Sequence, residues 1–487
     1  KARYFIYSST NLNQLDAFSS DSGINVMIIN TQAFAASLKE DGRSKEARII
    51  YSQRDEFASR RPIDVIAANH PIIIMDEPQK MGGEVTQKAL RSFRPLFCLN
   101  YSATHAKQHN LVYVLDALDA YNKRLVKRIE VKGFEVKNLR GTDHYLYMES
   151  ILLSAKKPPM VRLELEIKYQ KSVNREFRVL GVGDSLFYIS NEMEQYRDYS
   201  ISEIDPIVGK VTFTNGETLS KGDVVGDISE KDIRRVQIRE TIISHFEKEA
   251  QNFSMGIKTL SLFFIDEVAK YRQYDEDGNE VLGEYGQVFE REYSAVLAEY
   301  RTFLDPDYLA YLDGISPEST HRGYFSIDKK TGHAIDSKPK RGSEFSDDIS
   351  AYDLILKNKE RLLSFDEPTR FIFSHSALRE GWDNPNVFQI CTLKHGGDST
   401  TQKRQEVGRG LRLCVNQQGE RMDEDVCGEN VQVINTLTVI ASEGYAPFVR
   451  DLQEQTRAVL YERPTKATVE YFTGKHLMVD GKQIKLD

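Results

Sequence analysis

The chain has 487 residues, a net charge of −8, and 40% hydrophobic and 28% charged residues. That length exceeds what one hydrophobic core organises and implies two or three domains; the composition is that of a globular protein and excludes a disordered or fibrous one. The acidic balance argues against binding nucleic acid through bulk charge, so any such contact must come from a local basic groove.

The N-terminal run Lys1-Ala2-Arg3-Tyr4-Phe5-Ile6-Tyr7 is no signal peptide and reads as a strand already under way. Residues 1–137 alternate between strand and helix patterns, with apolar runs of strand length at 4–7, 26–29, 72–75 and 97–101. Continuous apolar runs separated by helical segments predict a parallel sheet covered on both faces. Ser8 and Ser9 follow the first run, and Thr31 and Gln32 the second. Such positions either cap the next helix or meet a ligand at the carboxyl end of the sheet. Residues 138–230 change character. Residues 161–169 alternate strictly, and Asn215-Gly216 is a hairpin signal, so an inserted antiparallel β subdomain is expected. Ile238, Ile242 and Phe246 mark one face of a helix over 233–250. The run 259–266 then opens a second parallel-sheet domain over 231–450, with an insertion at 273–350. Within it, Asp275-Glu276-Asp277-Gly278-Asn279 lacks the full spacing of a Ca²⁺ loop and reads as a solvated turn; the polar stretch 318–348 reads as a mobile loop. Residues 451–487 form a connector. The four cysteines (Cys98, Cys391, Cys414, Cys427) show no metal-ligand spacing. Cys98 and Cys391 sit in apolar runs, which predicts buried free thiols in a reducing cytoplasm. No run of 18 apolar residues occurs, so no membrane helix is expected.

Three segments carry chemistry. Ile72-Ile73-Ile74-Met75 runs straight into Asp76 and Glu77, a buried strand ending in two acids. Mg²⁺ prefers oxygen ligands and takes one or two carboxylates plus substrate phosphates. Ser102-Ala103-Thr104 follows the strand-like run 97–101, and Gln405-Glu406-Val407-Gly408-Arg409-Gly410-Leu411-Arg412 lies far downstream. Arg409 and Arg412 are three apart and would share one face of a helix. Always charged and planar, a guanidinium can neutralise transition-state charge as an arginine finger.

In this order the three segments resemble motifs II, III and VI of superfamily 2 helicases. Residues 371–393 (FIFSHSALREGWDNPNVFQICTL), 403–413 (KRQEVGRGLRL), 257–272 and 121–131 narrow the resemblance to the Res subunit of type III restriction enzymes, over nearly the whole chain. The resemblance implies an α/β fold with two RecA-like motor domains, the first incomplete at its N-terminus because no G-x-x-x-x-G-K-[ST] loop occurs anywhere in the sequence. It implies an ATP- and Mg²⁺-dependent motor on duplex DNA, working with a methyltransferase (Mod) subunit. Under it, Asp76 would hold Mg²⁺, Glu77 would orient or deprotonate the attacking water, and Gln79 would link to motif III. Gln405 would contact phosphate or water, and Ser102 and Thr104 would relay between nucleotide and DNA. Ser8, Ser9, Thr31 and Gln32 would touch the nucleic-acid backbone, as would the loop Glu380-Gly381-Trp382-Asp383, with Asp383 reaching the ribose. Trp382 either stacks on a base or fills a core position. The nuclease of the family lies beyond the motor, so the triplet Glu166-Ile167-Lys168 with Asp143 upstream reads as ordinary strand surface. Two other readings remain open: another superfamily 2 DNA or RNA helicase, and a degenerate motor fold serving as a DNA scaffold.

Overall fold

Each apolar run of the first hundred residues becomes a short strand: β1 Arg3–Ile6, β2 Asn25–Ile28, β3 Ile73–Asp76 and β4 Cys98–Tyr101. The computed structural model describes residues 2–9, 12–20, 23–34, 49–53, 55, 58–76, 78–102, 110, 112–115, 117–133, 136–137, 144–226, 229–302, 304–327, 334–335, 361–375, 384–393, 407–408, 410–441, 473, 476–479 and 482–485. Two compact units emerge, Lys1–Asp116 and Ala117–Asp487.

In the first unit β1 pairs with β2 and β3 with β4, both parallel. Leu15, Phe34, Ile66, Met75, Leu90 and Phe93 form its core, with Phe34 edge-on to Phe93 at 5.1 Å. Side chains alternate across a strand, so Phe5, Met27 and Met75 face this core while Tyr4, Ile6, Ile28 and Ile74 point away and are exposed. The sheet expected to be covered on both faces is therefore two parallel pairs, covered on one face among the described residues. Cys98, expected to be buried, is exposed, and among the described residues β4 has a strand neighbour on one side only.

The second unit opens with a short helix, Ala117–Asn122, followed by β5 Arg128–Gly133 and β6 Val136–Lys137. The antiparallel region follows as β7 Leu146–Ser154, β8 Lys157–Lys168, β9 Val173–Leu180, β10 Ile201–Asp205, β11 Lys210–Phe213, β12 Thr218–Ser220 and β13 Val224–Val225. These make a five-stranded sheet in the order β6-β13-β7-β8-β9 and a three-stranded sheet, β10-β11-β12. Val161, Leu163, Leu165 and Ile167 of β8 are all buried, the half-buried alternation read from the sequence. Asn215-Gly216 turns β11 into β12 with Gly216 at φ +86°, where a side chain would be strained.

The helix Glu230–Phe253 starts at a capping box, Ser229 with Asp232, and buries Ile238, Ile242 and Phe246. It leads to β14 Leu260–Ile265, the hairpin β15 Arg272–Tyr274 and β16 Glu280–Leu282, β17 His321–Tyr324, the short pair β18 Ser326–Ile327 and β19 Ala334–Ile335, then β20 Phe371–Ser374, β21 Val387–Leu393 and β22 Thr436–Ala441. A six-stranded sheet runs β17-β20-β14-β21-β22-β5, and every pairing in it is parallel. The fold is thus α/β, a parallel sheet with separate antiparallel sheets.

Two boundaries differ from the sequence pattern. Arg128–Gly133, grouped above with the first domain, pairs with β22 as the edge strand of the second unit's sheet. The span 273–350, expected as an insertion, supplies structural elements of that unit. Its helix Glu284–Tyr300 places Phe289 4.8 Å from Phe371, and β17 pairs with β20. Phe289, Tyr293 and Val296 at helical spacing need an apolar face to cover, and the sheet provides it.

A buried ionic seam ties the antiparallel sheet to the two long helices. Arg239, 1% exposed, reaches Glu149 on β7 at 2.6 Å and Glu292 and Glu299 on the facing helix at 3.0 and 2.7 Å. Arg235 meets Glu164 at 2.5 Å, and Arg162 meets Glu149 at 2.6 Å. Among the described residues no helix is long and apolar enough to cross a membrane.

Candidate functional site

The apolar run of β3 ends on Asp76, and Pro78, which has no N–H for a ladder, opens a 3-10 turn over Pro78–Met81. Parallel register sets Asp76 beside Tyr101. Asp76 and Ser102 therefore lie at the same carboxyl end of this pair, the end at which such sheets present ligand-binding loops. Asp76 is exposed, and Ser102 is half-buried. Gln79 falls in the 3-10 turn; Glu77 and Thr104 lie outside the described residues.

Ser8 and Ser9 leave β1, and Thr31 and Gln32 leave β2, again at one shared carboxyl end. The Asn30 carboxamide oxygen accepts from the Gln32 N–H at 3.0 Å and from the Thr31 hydroxyl at 3.3 Å. The capping role is thus realised at this turn, with the Gln32 side chain exposed.

In the second unit β20 ends at Ser374 and β21 begins at Val387. Glu380, Gly381, Trp382 and Asp383 belong to the connection and lie outside the described residues, as do Gln405 and Arg409. What the structure describes is how both segments return to the sheet. Asn386 and Val415 clasp each other, with Asn386 Nδ2 donating to the Val415 carbonyl and the Val415 N–H to Asn386 Oδ1, both at 2.9 Å. Val407 and Gly408 form a helical turn, and Gly410 N–H donates to Val407 O at 3.0 Å. Arg412 then lies in a bend, exposed. The helix expected to carry Arg409 and Arg412 on one face therefore does not extend to Arg412. The physical reason lies in the backbone: the Leu411 carbonyl accepts from the Lys127 N–H at 2.8 Å instead of continuing a helical ladder. Gly410 is pressed onto the sheet, where a Cβ would come 2.9 Å from Leu437 Cδ1 and 3.1 Å from Ile390 Cδ1.

Lys127 escaped the sequence reading. Its amine is buried and donates to the carbonyls of Pro385, Val387 and Gly410 at 2.5, 2.8 and 3.1 Å. Burial pulls the amine down to about 7, with Lys248 pulling the same way and Cys414 opposing. Three carbonyls on three protons favour the charged form. In sequence it is one basic residue among Lys123, Arg124 and Arg128, and nothing local marks it. The Glu166 carboxylate accepts from Gln195 Nε2 at 3.0 Å and lies 3.5 Å from Arg175, while Asp143 is outside the described residues.

These elements define an α/β protein in which the described candidate residues Asp76 and Ser102 sit at strand ends. No family model matches the chain. In sequence the chain is similar to the Res subunits of type III restriction-modification enzymes. It is 35% identical over 367 residues to the EcoP15I Res subunit of Escherichia coli, covering 73% of this chain and 34% of that protein. It is 35% identical over 405 residues to the EcoPI Res subunit of Escherichia phage P1, covering 81% and 37%. The StyLTI Res subunit of Salmonella typhimurium is 29% identical over 445 residues, covering 82% and 40%. The chain thus spans 34% to 40% of the length of these curated relatives. Among solved structures, the DNA-bound ATP-dependent Type ISP restriction-modification enzyme LlaBIII aligns at TM-score 0.32 and 10% identity, covering 95% of this chain and 27% of that one.

Proposed function

We propose that these residues form the ATP-driven DNA motor portion of a type III restriction Res subunit, acting with a methyltransferase (Mod) subunit to direct cleavage of unmethylated DNA. The observation that carries the reading is the 35% identity to two Res subunits over 73% and 81% of the chain. Asp76, exposed at a strand's carboxyl end, is the hard oxygen donor that suits Mg²⁺ beside nucleotide phosphates. Bound there, the cation would supply charge neutralisation at the phosphoryl group. Glu77 orients or deprotonates the attacking water, and Gln79 links that turn to Ser102 and Thr104. Arg412, with Arg409 and Gln405, faces phosphate and neutralises transition-state charge. Ser8, Ser9, Thr31, Gln32 and the segment Glu380–Asp383 track the DNA backbone, with Asp383 on the ribose.

The test uses the full-length protein assembled with its methyltransferase subunit. Phosphate release is measured with ATP and Mg²⁺, in the presence of duplex DNA or RNA. Duplex DNA should stimulate hydrolysis, and Arg412→Ala should lower the stimulated rate by about 10³-fold, as removal of other arginine fingers does. Stimulation by RNA alone would replace the restriction reading with that of an RNA remodeller. No stimulation by either, with no loss in Arg412→Ala, would leave a DNA-binding scaffold.

A further inference from the structure

Strand pairing leaves one part of the antiparallel sheet without neighbours. β13 pairs with β7 only at Leu146 and Tyr147, and β9 pairs with β8 only as far as Val161. Past Ile151 and Val161, which pair with one another, β7 and β8 have only each other, as far as Ser154 opposite Lys157. Among the described residues no third strand joins them there. At roughly 3.3 Å per residue, this two-stranded ribbon reaches about 10–13 Å beyond its last shared pair.

The ribbon presents an unusual set of side chains. Leu152 and Leu153 are 37% and 69% exposed, and as neighbours in a strand they lie on opposite faces. Lys156, Lys157 and Pro158 at the turn are exposed as well. Residues 150–161 contain no Asp or Glu, in a chain whose net charge is −8. Lys132 and Lys221 of the same unit both meet Glu247, whereas neither Lys156 nor Lys157 forms an ion pair among the described residues. The two prolines, Pro158 and Pro159, have no N–H to donate, so a partner chain cannot extend the sheet along this edge by regular strand pairing. What remains on offer is side chains: two unmatched cations at the tip, with apolar flanks behind them.

We propose that this ribbon docks in a groove of duplex DNA, with Lys156 and Lys157 on backbone phosphates and Leu152, Leu153 and Pro158 against sugars and base edges. The proposal rests on the reading of the chain as acting on duplex DNA, and it adds a contact outside the motif residues. Shape agrees, since the major groove, about 12 Å wide, admits a two-stranded β-ribbon. Charge agrees as well: an acidic chain must meet DNA through a local basic point, and an acid-free ribbon tip is one. Lysine contacts to phosphate carry no sequence information. They suit a subunit that has to hold DNA of any sequence while another subunit reads the site.

The test measures binding of a long duplex of mixed sequence to the full-length protein, assembled with its methyltransferase subunit, across a range of salt concentrations. Each phosphate neutralised by a lysine contributes about 0.9 to the slope of log affinity against log salt. The double variant Lys156→Gln, Lys157→Gln should therefore flatten that slope by about 1.8. Leu153→Ser should weaken binding and leave the slope as it is, because the leucine displaces no counterion. All three positions are exposed, so melting temperatures should match wild type. In the wild-type assembly, amide exchange at 152–157 should slow when duplex DNA is added. An unchanged slope in the double variant, or unchanged exchange at 152–157, overturns the proposal. So does a double variant that binds DNA as wild type does but no longer assembles with the methyltransferase subunit, since the ribbon would then be a protein-docking element. Wild-type phosphate release that duplex DNA fails to stimulate would instead refute the DNA reading on which the proposal rests; stimulated wild type beside an unchanged slope would refute the ribbon contact alone.

Discussion

Replacing Arg239 by alanine tests the ionic seam between the antiparallel sheet and the long helices. The guanidinium is 1% exposed, reaches Glu149, Glu292 and Glu299 within 3.0 Å, and lies 4.4 Å from the ring of Phe177. Its loss leaves Glu149 with Arg162 alone and Glu292 with Arg235 at 3.5 Å. Both carboxylates remain buried. Removing one partner of a buried ion pair costs about 3–5 kcal/mol, because the other charge stays desolvated. At about 1.4 kcal/mol per tenfold, that raises the population with the seam opened by roughly 10²- to 4 × 10³-fold. Native-state amide exchange read at β7 and at the helix Glu230–Phe253 should therefore show opening free energies lowered by that amount, with β1 to β4 unchanged. Adding Glu149→Leu should recover part of the loss, since one stranded carboxylate goes too. A change below about 1 kcal/mol in Arg239→Ala would refute the argument; it would mean that Arg162 and Arg235 already neutralise the cluster.

Gly226 sits at φ +115°, and a Cβ there would lie 1.8 Å from the carbonyl oxygen of His144, so Gly226→Ala should cost more than about 4 kcal/mol and show as insoluble protein or a much lower melting temperature. Burial alone would raise the Glu249 carboxyl, but Arg370, His245 and Tyr308 hold it down to about 2. A depressed carboxyl contributes stability that is present above its unfolded value near 4.5 and is lost as pH falls through 2, a loss of about 3 kcal/mol at 1.36 kcal/mol per unit. Thermal melts of the second unit should fall across that window, and Glu249→Gln should flatten the fall while lowering stability at pH 7. Arg412→Lys should not restore DNA-stimulated hydrolysis lost in Arg412→Ala, because a point charge lacks the planar fork; full rescue in a phosphate-release assay would show that charge alone suffices. Glu77→Gln should abolish turnover while leaving ATP binding intact by filter retention, and near wild-type hydrolysis would remove the water-orienting role.

Local rules wrote much of this fold into the chain. The period of two in Val161, Leu163, Leu165 and Ile167 made β8 legible, and the turn Asn215-Gly216 marked the hairpin of β11 and β12. Ile238, Ile242 and Phe246 at helical spacing marked the long helix. Asp76, Ser102 and Arg412 were legible as candidates for chemistry through the motifs that hold them, and the structure places Asp76 and Ser102 at one carboxyl end of the β3–β4 pair. Partnership between distant elements was not legible. Arg128–Gly133 is an apolar-alternating strand wherever it goes; only β22 decided that it edges the second sheet. Phe289 and Tyr293 looked like part of an insertion until Phe371 gave them a face to cover. Arg412 left the helix predicted for it because Lys127, far away in sequence, takes the Leu411 carbonyl. Lys127 and Arg239 are the plainest cases. Each is one basic residue among several nearby, and burial makes each decisive. The carbonyls that Lys127 holds belong to residues 258 to 283 positions downstream. Secondary structure follows from neighbours a few residues apart, which the sequence states directly; the worth of a charge follows from what surrounds it, and only the closed tertiary structure brings those surroundings together.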